Sequence, residues 1–514
     1  MFPSNTDYEL KVSLETNLSV PTKELPFHLL FLGDWSGREG NLTDSDLVTR
    51  KPIEIDRDNF NEVLSKFNIR VNLAFPGDSE SILSLHFADL DDFHPDSIFQ
   101  KCPLFSDLRD IRRQLLNSNT YAQAAREVKS WFNETHIEDA SVIKSQHNFP
   151  ENLEFSSDGL LDQILNYSDK KNDDPQSQIV QIPELNRFIK NIIKPHLVRF
   201  DVAEQSELIM VVDRVISDLM RKILHHPRFQ SLESAWRGAY FLVRRVETDY
   251  KLKIYLLDLN KDELISSLKF NKSLKIALSD KDLVREGDHF GKSIPWAAIC
   301  GNYTFSLNTE DTATLIRIAE IAYKNNSPFI AHIKPEIFGF ATFDTVDSSD
   351  IWKISQNSQA DKLWTTLRVM PESSHLGLCL SRILVRLPYG KKTELTESFY
   401  FEEFVTSIPH EKYMWINPAF VIALLLAQTF QEHSWNMSQN FFQDIDGLPL
   451  HSFQEEGEDK TKSCAEIAMT QNNYETVLNQ GFIPLISYKN TDKASVNCFQ
   501  SIAYPPSIIK GKWS

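Results

Sequence analysis

The stretch FQSLESAWRGAYFLV, Phe229–Val243, decides the fold class of this chain together with the segments that flank it. Its apolar residues recur at the spacing of one helix face, which predicts a helix. A longer apolar stripe of the same spacing, between residues 208 and 223, predicts another helix before it that ends at Pro227. We therefore expect two consecutive helices here.

The segments that follow alternate strands with helices. Apolar residues alternate from Leu252 to Leu256, as in a strand. Asn260 stands three residues before Glu263, which resembles a capping box at the start of a helix. Residues 315–322 predict a further helix, and Phe329–Ile333 a strand. This alternation is typical of an α/β architecture.

The front of the chain shows the same mixture of elements. The run FHLLFL, Phe27–Leu32, followed by Gly33 and Asp34, predicts a buried strand and a turn. Residues 59–67 and 104–115 have helical patterns, and residues 81–87 alternate as in a half-buried strand. The expected fold class is α/β, or mixed α+β, with several domains and mixed sheets flanked by helices.

Composition excludes several classes of protein. Apolar residues make up 41% and charged residues 24% of the 514 residues, which is ordinary for a globular protein and excludes a mainly disordered chain. The 54 basic and 71 acidic residues give a net charge of −17. A broad nucleic-acid footprint is therefore not expected, although a local basic patch is compatible with this balance.

Cysteine usage and hydropathy place the chain in a reducing compartment and outside the membrane. The five cysteines form no CxxC pair, which argues against a zinc knuckle and fits reduced thiols in the cytosol. The start, MFPSNTDYELK, predicts no Sec signal. The most apolar run, Ala419–Ala427, is far shorter than the ~20 residues of a membrane span and predicts a buried helix.

Two catalytic motifs are present only in part. Gly291–Ser293 resembles the end of a P-loop, but the first glycine of that motif would stand at Glu286. His410 begins like a zincin helix, but the second histidine would stand at Met414. Neither a phosphate site nor a zinc site is therefore expected from these motifs.

Two further polar groups have structural explanations. Adjacent imidazoles point apart on a helix, so His225 and His226 are not expected to form a metal pair. We expect them to cap the C-terminus of the preceding helix. Asp89, Asp91 and Asp92 are expected to form a solvated turn. We thus predict no catalytic, cofactor-binding or metal-binding residue and no cofactor, while an enzyme with an unrecognised site remains the competing class.

The middle of the chain differs in composition. Asn166–Gln178 contains one aromatic residue and nothing aliphatic, which predicts a flexible linker. Before it, SSDGLLDQIL, residues 156–165, predicts a short amphipathic helix. Its apolar face either packs on its own domain or docks to a partner. That face consists of Leu160, Leu161, Ile164 and Leu165.

Residues 200–505 resemble TssC (VipB), the large subunit of the contractile sheath of type VI secretion systems. Phe229–Val243 looks like a signature of that family, and the family's other segments follow in the same order. These are LKIYLLDLNKDEL (Leu252–Leu264), SPFIAHIKPEIFG (Ser327–Gly339), HLGLCLSRILVRLPYG (His375–Gly390), FYFEEF (Phe399–Phe404), MWINPAF (Met414–Phe420) and GFIPLISYKNTDKASV (Gly481–Val496). We expect Trp236, Arg382 and Arg386 to be fold residues.

The front of the chain resembles the small sheath subunit, TssB (VipA). The matching segments are PFHLLFLGDWSGR (Pro26–Arg38), RKPIEIDRDNFNEVLSKF (Arg50–Phe67), LDDFHPDSIFQ (Leu90–Gln100) and the helix of residues 104–115. The chain is therefore interpreted as a fusion of both subunits. The expected divisions are an N-terminal extension (1–20), a TssB-like domain (21–135), a linker with the amphipathic helix (136–200) and a TssC-like domain (201–514).

The resemblance implies a structural role rather than catalysis. We expect a sheath component that packs into a helical tube around an inner tube and drives effector ejection by contraction, in the bacterial cytoplasm. Implied partners are other sheath subunits, the inner tube protein, baseplate proteins and the AAA+ ATPase ClpV. No nucleic acid and no membrane insertion are expected. Leu160, Leu161, Ile164 and Leu165 resemble the helix that ClpV recognises.

Two departures from the large-subunit family support an alternative. That family continues beyond the segment present here, so the TssC-like domain is expected to be truncated at its C-terminus. The large-subunit family also has a glycine-rich stretch, and this chain has QDIDGLPL, Gln443–Leu450, in its place. The alternative is a sheath-like adaptor or terminator at the baseplate or sheath end that does not polymerise fully.

Overall fold

The structure is a computed structural model, and it describes most of the chain outside the linker region. The described residues are 25–38, 50–74, 82–133, 205–270, 296–340, 343, 352, 359–405, 409–455, 457–466 and 469–514. The predicted amphipathic helix of residues 156–165, the linker Asn166–Gln178 and the incomplete P-loop of Gly291–Ser293 lie outside these residues.

Eleven α-helices lie within the described residues. They are α1 (Phe60–Lys66), α2 (Pro95–Lys101), α3 (Ser106–Leu116), α4 (Tyr121–Asn133), α5 (Gln205–Leu224), α6 (Pro227–Val243), α7 (Lys261–Phe270), α8 (Thr309–Asn325), α9 (Gln359–Val369), α10 (Ala419–His433) and α11 (Gln471–Asn479). The helices predicted from residues 208–223 and Phe229–Val243 correspond to α5 and α6. Pro227 occupies the first turn of α6, where its missing N–H costs nothing.

Sixteen strands lie in the same part of the chain. They are β1 (Phe27–Gly33), β2 (Ile53–Ile55), β3 (Ile69–Ala74), β4 (Ile82–Phe87), β5 (Leu252–Asp258), β6 (Ala298–Phe305), β7 (Phe329–Ile333), β8 (Leu376–Leu380), β9 (Ile383–Leu384), β10 (Trp415–Ile416), β11 (Asp444–Ile445), β12 (His451–Glu455), β13 (Glu458–Lys462), β14 (Phe482–Pro484), β15 (Ile486–Ser487) and β16 (Ala494–Ser495). The mixed α/β class expected from the sequence is confirmed.

The main sheet has seven strands in the order β14-β8-β7-β6-β1-β5-β2. All neighbours are parallel except β2, which runs antiparallel to β5. Strand β1 comes from the TssB-like front of the chain, yet it lies between β5 and β6. Leu29 of β1 stands opposite Ile254 of β5 and Ala298 of β6. The front and the rear of the chain therefore build one sheet.

Strand β1 is apolar on both faces because both faces are covered. All seven of its residues are buried, as expected for a central strand of a parallel sheet. Phe27, Leu29 and Phe31 point into one hydrophobic core, which also contains α6 and α10. Leu30 and Leu32 point into a second core on the opposite face. The sheet thus separates two apolar layers.

Two local predictions agree closely with the structure. The amide of Asn260 donates to Glu263 Oε2 at 3.0 Å, and the amide of Glu263 donates to Asn260 Oδ1 at 2.8 Å, so the capping box at α7 is reciprocal. The apolar run Ala419–Ala427 forms the buried start of α10. None of the described helices combines the length and the hydropathy that a membrane span requires.

Candidate functional site

The described residues within 25–133 form the front segment, and those within 205–514 form the rear segment. The contact surface between the two segments, called the seam below, is the feature on which a two-part protein depends. At its centre, the Trp236 indole N–H of α6 donates to the main-chain oxygen of Trp35 at 2.9 Å. The two rings meet edge to face, 5.5 Å between centroids. Phe60 and Phe67 also pack edge to face on Trp236. Trp236 is therefore a fold residue, and what it holds together is the seam.

Asp258, the last residue of β5, anchors the turn that follows β1. Its Oδ1 accepts from the Trp35 amide at 2.8 Å and from the Ser36 amide at 3.3 Å, and its Oδ2 accepts from the Ser36 hydroxyl at 2.8 Å. The guanidinium of Arg38 pairs with Oδ2 as well. One carboxylate of the rear segment thus satisfies four donors of the front segment.

A second ion pair crosses the seam beside Asp258. Arg50 donates Nη2 to Glu263 Oε1 at 2.9 Å and Nη1 to Glu263 Oε2 at 3.0 Å, which is the bidentate geometry that arginine favours. Glu263 also caps α7. The sequence predicted only the capping role, because no local pattern reveals a partner 213 positions away.

Asp34 lies in the same acidic environment. Burial, together with the nearby carboxylates of Asp258 and Glu263, raises the pKa of Asp34 from 3.8 to about 6. The Gly37 amide donates to Asp34 Oδ1 at 2.8 Å and partly opposes this rise. The sequence predicted Asp34 only as a turn residue. Its ionisation is unfavourable because folding brings it close to the carboxylates of Asp258 and Glu263, which are distant in the sequence.

The helices of the front segment make polar contacts further along the seam. Arg112 Nε of α3 donates to Asp213 Oδ1 of α5 at 2.6 Å. Asp96, in the first turn of α2, accepts from the main-chain amides of Glu397 and Ser398 at 2.9 Å each. These contacts join the front segment to two separate regions of the rear segment.

A fully buried ion cluster supports α6 from within the rear segment. Arg386 donates Nε to Glu233 Oε1 and Nη1 to Glu403 Oε2, each at 2.8 Å. Although burial opposes it, Arg386 lowers the pKa of Glu403 to about 2, and the two carboxylates raise that of Arg386. Arg237 also pairs with Glu233. Arg386 is therefore a fold residue, as predicted.

Arg382 belongs to another network that gathers potential metal ligands. His410, Glu411 and Glu466 place one ligand atom each within 4.8 Å of one another. Arg382, however, pairs with both Glu411 and Glu466, and Lys462 Nζ lies 2.8 Å from His410 Nδ1. The Arg382 guanidinium already supplies the positive charge that both carboxylates would otherwise take from a metal ion, so the group does not fit a metal site.

Two structural explanations given to polar groups need correction. His226 caps the N-terminus of α6 by accepting from the Arg228 amide at 3.3 Å, not the C-terminus of α5, because Pro227 starts a new helix directly after it. Asp92 is buried rather than solvated. It accepts from the Ala88 amide at 2.6 Å and pairs with Lys101, closing a capped 3₁₀ turn with Asp89.

The residues predicted to bind a partner, Leu160, Leu161, Ile164 and Leu165, lie outside the described residues. What the structure does describe is a cavity of about 700 Å³ at the edge of the seam, where β1 and β5 end. Several segments of the front of the chain line it, together with Asp258. Its basic lining residues are Arg38, Arg50, Lys51, Lys66 and Arg70.

Comparison with known proteins agrees with the two-part structure. The family described as EvpB/VC_A0108, tail sheath N-terminal domain (VipB), matches residues 206–503. The family described as type VI secretion system, VipA, VC_A0107 or Hcp2, matches residues 8–146. Both matches cover sheath proteins, so they do not favour the alternative of an adaptor or terminator.

Two relatives from Pseudomonas aeruginosa match the same two parts. The type VI secretion system sheath protein TssC1 is 32% identical over 306 residues, which are 58% of this chain and 61% of TssC1. The sheath protein TssB1 is 31% identical over 102 residues, 19% of this chain and 59% of TssB1. The chain thus spans about three fifths of the length of each relative. It belongs to the VipB tail sheath family and is a fusion in which a TssB-like segment precedes a TssC-like one.

Proposed function

We propose that this chain is a structural subunit of a type VI secretion contractile sheath, with small-subunit and large-subunit parts supplied by one polypeptide. Copies of the chain pack into a helical tube and drive ejection of effectors by contraction. The observation that carries this proposal is β1, the front strand that lies between β5 and β6 of the rear segment. It makes the two parts of each chain one building block.

The geometry of the seam suits a unit that moves as a rigid body. Contraction of a tube changes how subunits sit against one another, and such transitions need building blocks that keep their internal packing. The β1 ladder, the Trp236–Trp35 contact and the Arg50–Glu263 pair all lie inside one chain. We infer that contraction leaves them intact and works at surfaces between copies.

The partners and the location follow from the same proposal. Besides its own copies or other sheath subunits, the chain would contact the inner tube protein, baseplate proteins and the ATPase ClpV, all in the bacterial cytoplasm. ClpV would bind the apolar face of Leu160, Leu161, Ile164 and Leu165. The division into domains at residues 20, 135 and 200 belongs to this proposal too.

The proposal includes no catalytic step. The buried carboxylates of Glu233 and Glu403 are engaged by Arg386, and Glu403 also accepts from the Tyr389 amide, which fits structural roles. Nucleotide hydrolysis by the purified chain that disappears in Lys292→Ala would contradict this part of the proposal. A hydrolysis rate equal to the buffer background supports it.

Electron microscopy tests the main proposal. The purified full chain is imaged in negative stain, alone and with the inner tube protein. We expect hollow rods of uniform diameter, longer and more frequent when the tube protein is present. Arg386→Met, which disturbs the buried cluster, is expected to abolish the rods. A wild-type chain that stays monomeric in both conditions would overturn the proposal.

A further inference from the structure

The basic cavity, lined by Arg38, Arg50, Lys51, Lys66 and Arg70, is unusual in a chain with a net charge of −17. Three of its cations have acidic partners: Arg38 pairs with Asp258, Arg50 with Glu263 and Lys66 with Glu62. Among the described residues, Lys51 and Arg70 have no acidic partner, and both are exposed. Within the described part of the chain, two of the five cations that line the cavity are therefore not neutralised by a carboxylate.

The position of the cavity is characteristic of a binding crevice. It opens where the parallel strands β1 and β5 reach their carboxyl ends, the edge at which open α/β sheets bind ligands. Its volume of about 700 Å³ is large enough for several side chains of a partner. Two of its lining residues, Asp258 and Ser36, are fixed in position, because the Asp258 carboxylate accepts hydrogen bonds from Trp35 and Ser36. Among the lining arginines, Arg70 has no acidic partner in the described residues and offers the planar donors that suit carboxylates.

We propose that the basic cavity binds a carboxylate-rich surface segment of a second copy of this chain during assembly. This inference rests on the proposed sheath function. A chain with 71 acidic and 54 basic residues presents an excess of carboxylates to its neighbours. A cavity of opposite sign then fixes how copies approach one another, since complementary charge guides association and register.

The first test measures binding at the cavity itself. A fluorescein-labelled hexaglutamate peptide is titrated with the full chain and followed by anisotropy. We expect saturable binding that weakens as salt rises, because ions screen exposed charges. The double variant Lys51→Glu/Arg70→Glu should lose at least about tenfold in affinity. The control Arg57→Glu changes an exposed arginine that does not line the cavity and should bind like wild type.

The second test measures assembly of the same proteins by light scattering and electron microscopy. We expect the double variant to remain folded but to assemble poorly, while Arg57→Glu assembles like wild type. If the wild type and the double variant form rods equally well, the inference falls and the proposed function stands. If the wild type forms no rods, the proposed function falls, and with it the second copy as occupant of the cavity.

Two other occupants are distinguished in the same experiments. Displacement of the peptide by about 1 mM inorganic phosphate, at constant ionic strength, would indicate a site for a small anion and overturn the inference. The chain's own residues 39–49 carry Glu39, Asp44 and Asp46. If neutralising these three residues tightens peptide binding and leaves assembly unchanged, the chain fills its own cavity, which would also overturn the inference.

Discussion

The Trp236 side chain donates its indole N–H to the main-chain oxygen of Trp35 at 2.9 Å, and this hydrogen bond joins residues 201 positions apart. Both rings are fully buried. The contact combines a large apolar surface with a polar group that has to be satisfied. It is therefore a point at which to test whether the two parts of the chain depend on each other.

Trp236→Phe should lower the free energy of unfolding by about 1–3 kcal/mol, because the Trp35 oxygen loses its donor while most of the ring remains. Trp236→Ala should cost about 3–5 kcal/mol, since it also leaves a cavity. Denaturant titration measures both. Trp364→Phe is the matched control, because the buried Trp364 indole nitrogen has no hydrogen-bond partner among the described residues. Equal losses for the two Phe variants would contradict the role of the hydrogen bond.

Arg386→Met should destabilise the protein by about 3–5 kcal/mol, because it leaves Glu403 buried without its guanidinium partner and removes one of the two arginines that pair with Glu233. Thermal unfolding followed by circular dichroism measures the change. Arg57→Met, at an exposed position, serves as the control and should unfold like wild type. A stable Arg386→Met variant would show that the cluster does not need its central charge.

Asp34→Asn should stabilise the protein at neutral pH. The folded-state pKa of Asp34 is raised from 3.8 to about 6, so its contribution to stability is fully present below pH 4 and is lost as the pH rises to 6. The amide keeps the acceptor for Gly37 and carries no charge. We expect a gain of about 1–3 kcal/mol at pH 7 that shrinks toward pH 4. Urea titrations across this range measure it, with Asp58→Asn as the exposed control. A gain independent of pH would contradict the assignment.

Gly238→Ala should destabilise α6, although alanine ordinarily favours a helix over glycine. A Cβ atom at this position would stand 2.4 Å from the Phe420 ring of α10. We expect a loss of about 1–3 kcal/mol from overpacking. The double variant Gly238→Ala/Phe420→Leu should recover part of the loss, and a denaturant-based double-mutant cycle measures the coupling. Strictly additive losses would show that the two positions do not touch.

Leu161→Asp or Ile164→Asp should abolish binding of the peptide 155–171 to the N-domain of the ClpV ATPase, because a charge on the apolar face prevents its burial. A fluorescence titration measures this, and the same changes in the full chain should leave its unfolding midpoint unaltered. Asp158→Asn, off the apolar face, is the control. Unchanged binding would reject docking, and a lowered midpoint would show that the segment packs on its own domain.

Local patterns in the sequence predicted several elements of the fold. Phe329–Ile333 is a strand with the predicted limits, and the Asn260–Glu263 capping box forms in both directions. Such features depend on neighbours within a few positions. Resemblance to the sheath families added the order of the two parts, but neither source placed β1 between β5 and β6.

The polar part of the seam was beyond sequence reasoning for a physical reason. Asp258, Arg50 and Glu263 come from separate segments, and no periodicity relates them. The raised pKa of Asp34 likewise exists only when these carboxylates are brought together. Ion pairs and hydrogen bonds between distant segments depend on the folded topology, and no short stretch of the sequence reveals them.

The central position of β1 has a consequence for how the protein is made. Trp35 and Asp258 are separated by 223 positions, so at roughly 5–20 residues per second the ribosome needs about 10–45 s to deliver β5 after β1 has emerged. Throughout that interval a strand that is apolar on both faces has no sheet to enter. Joining both parts in one chain keeps the waiting strand tethered to the ribosome that is completing its neighbours. Two separate polypeptides would have to meet by diffusion before either could close its sheet.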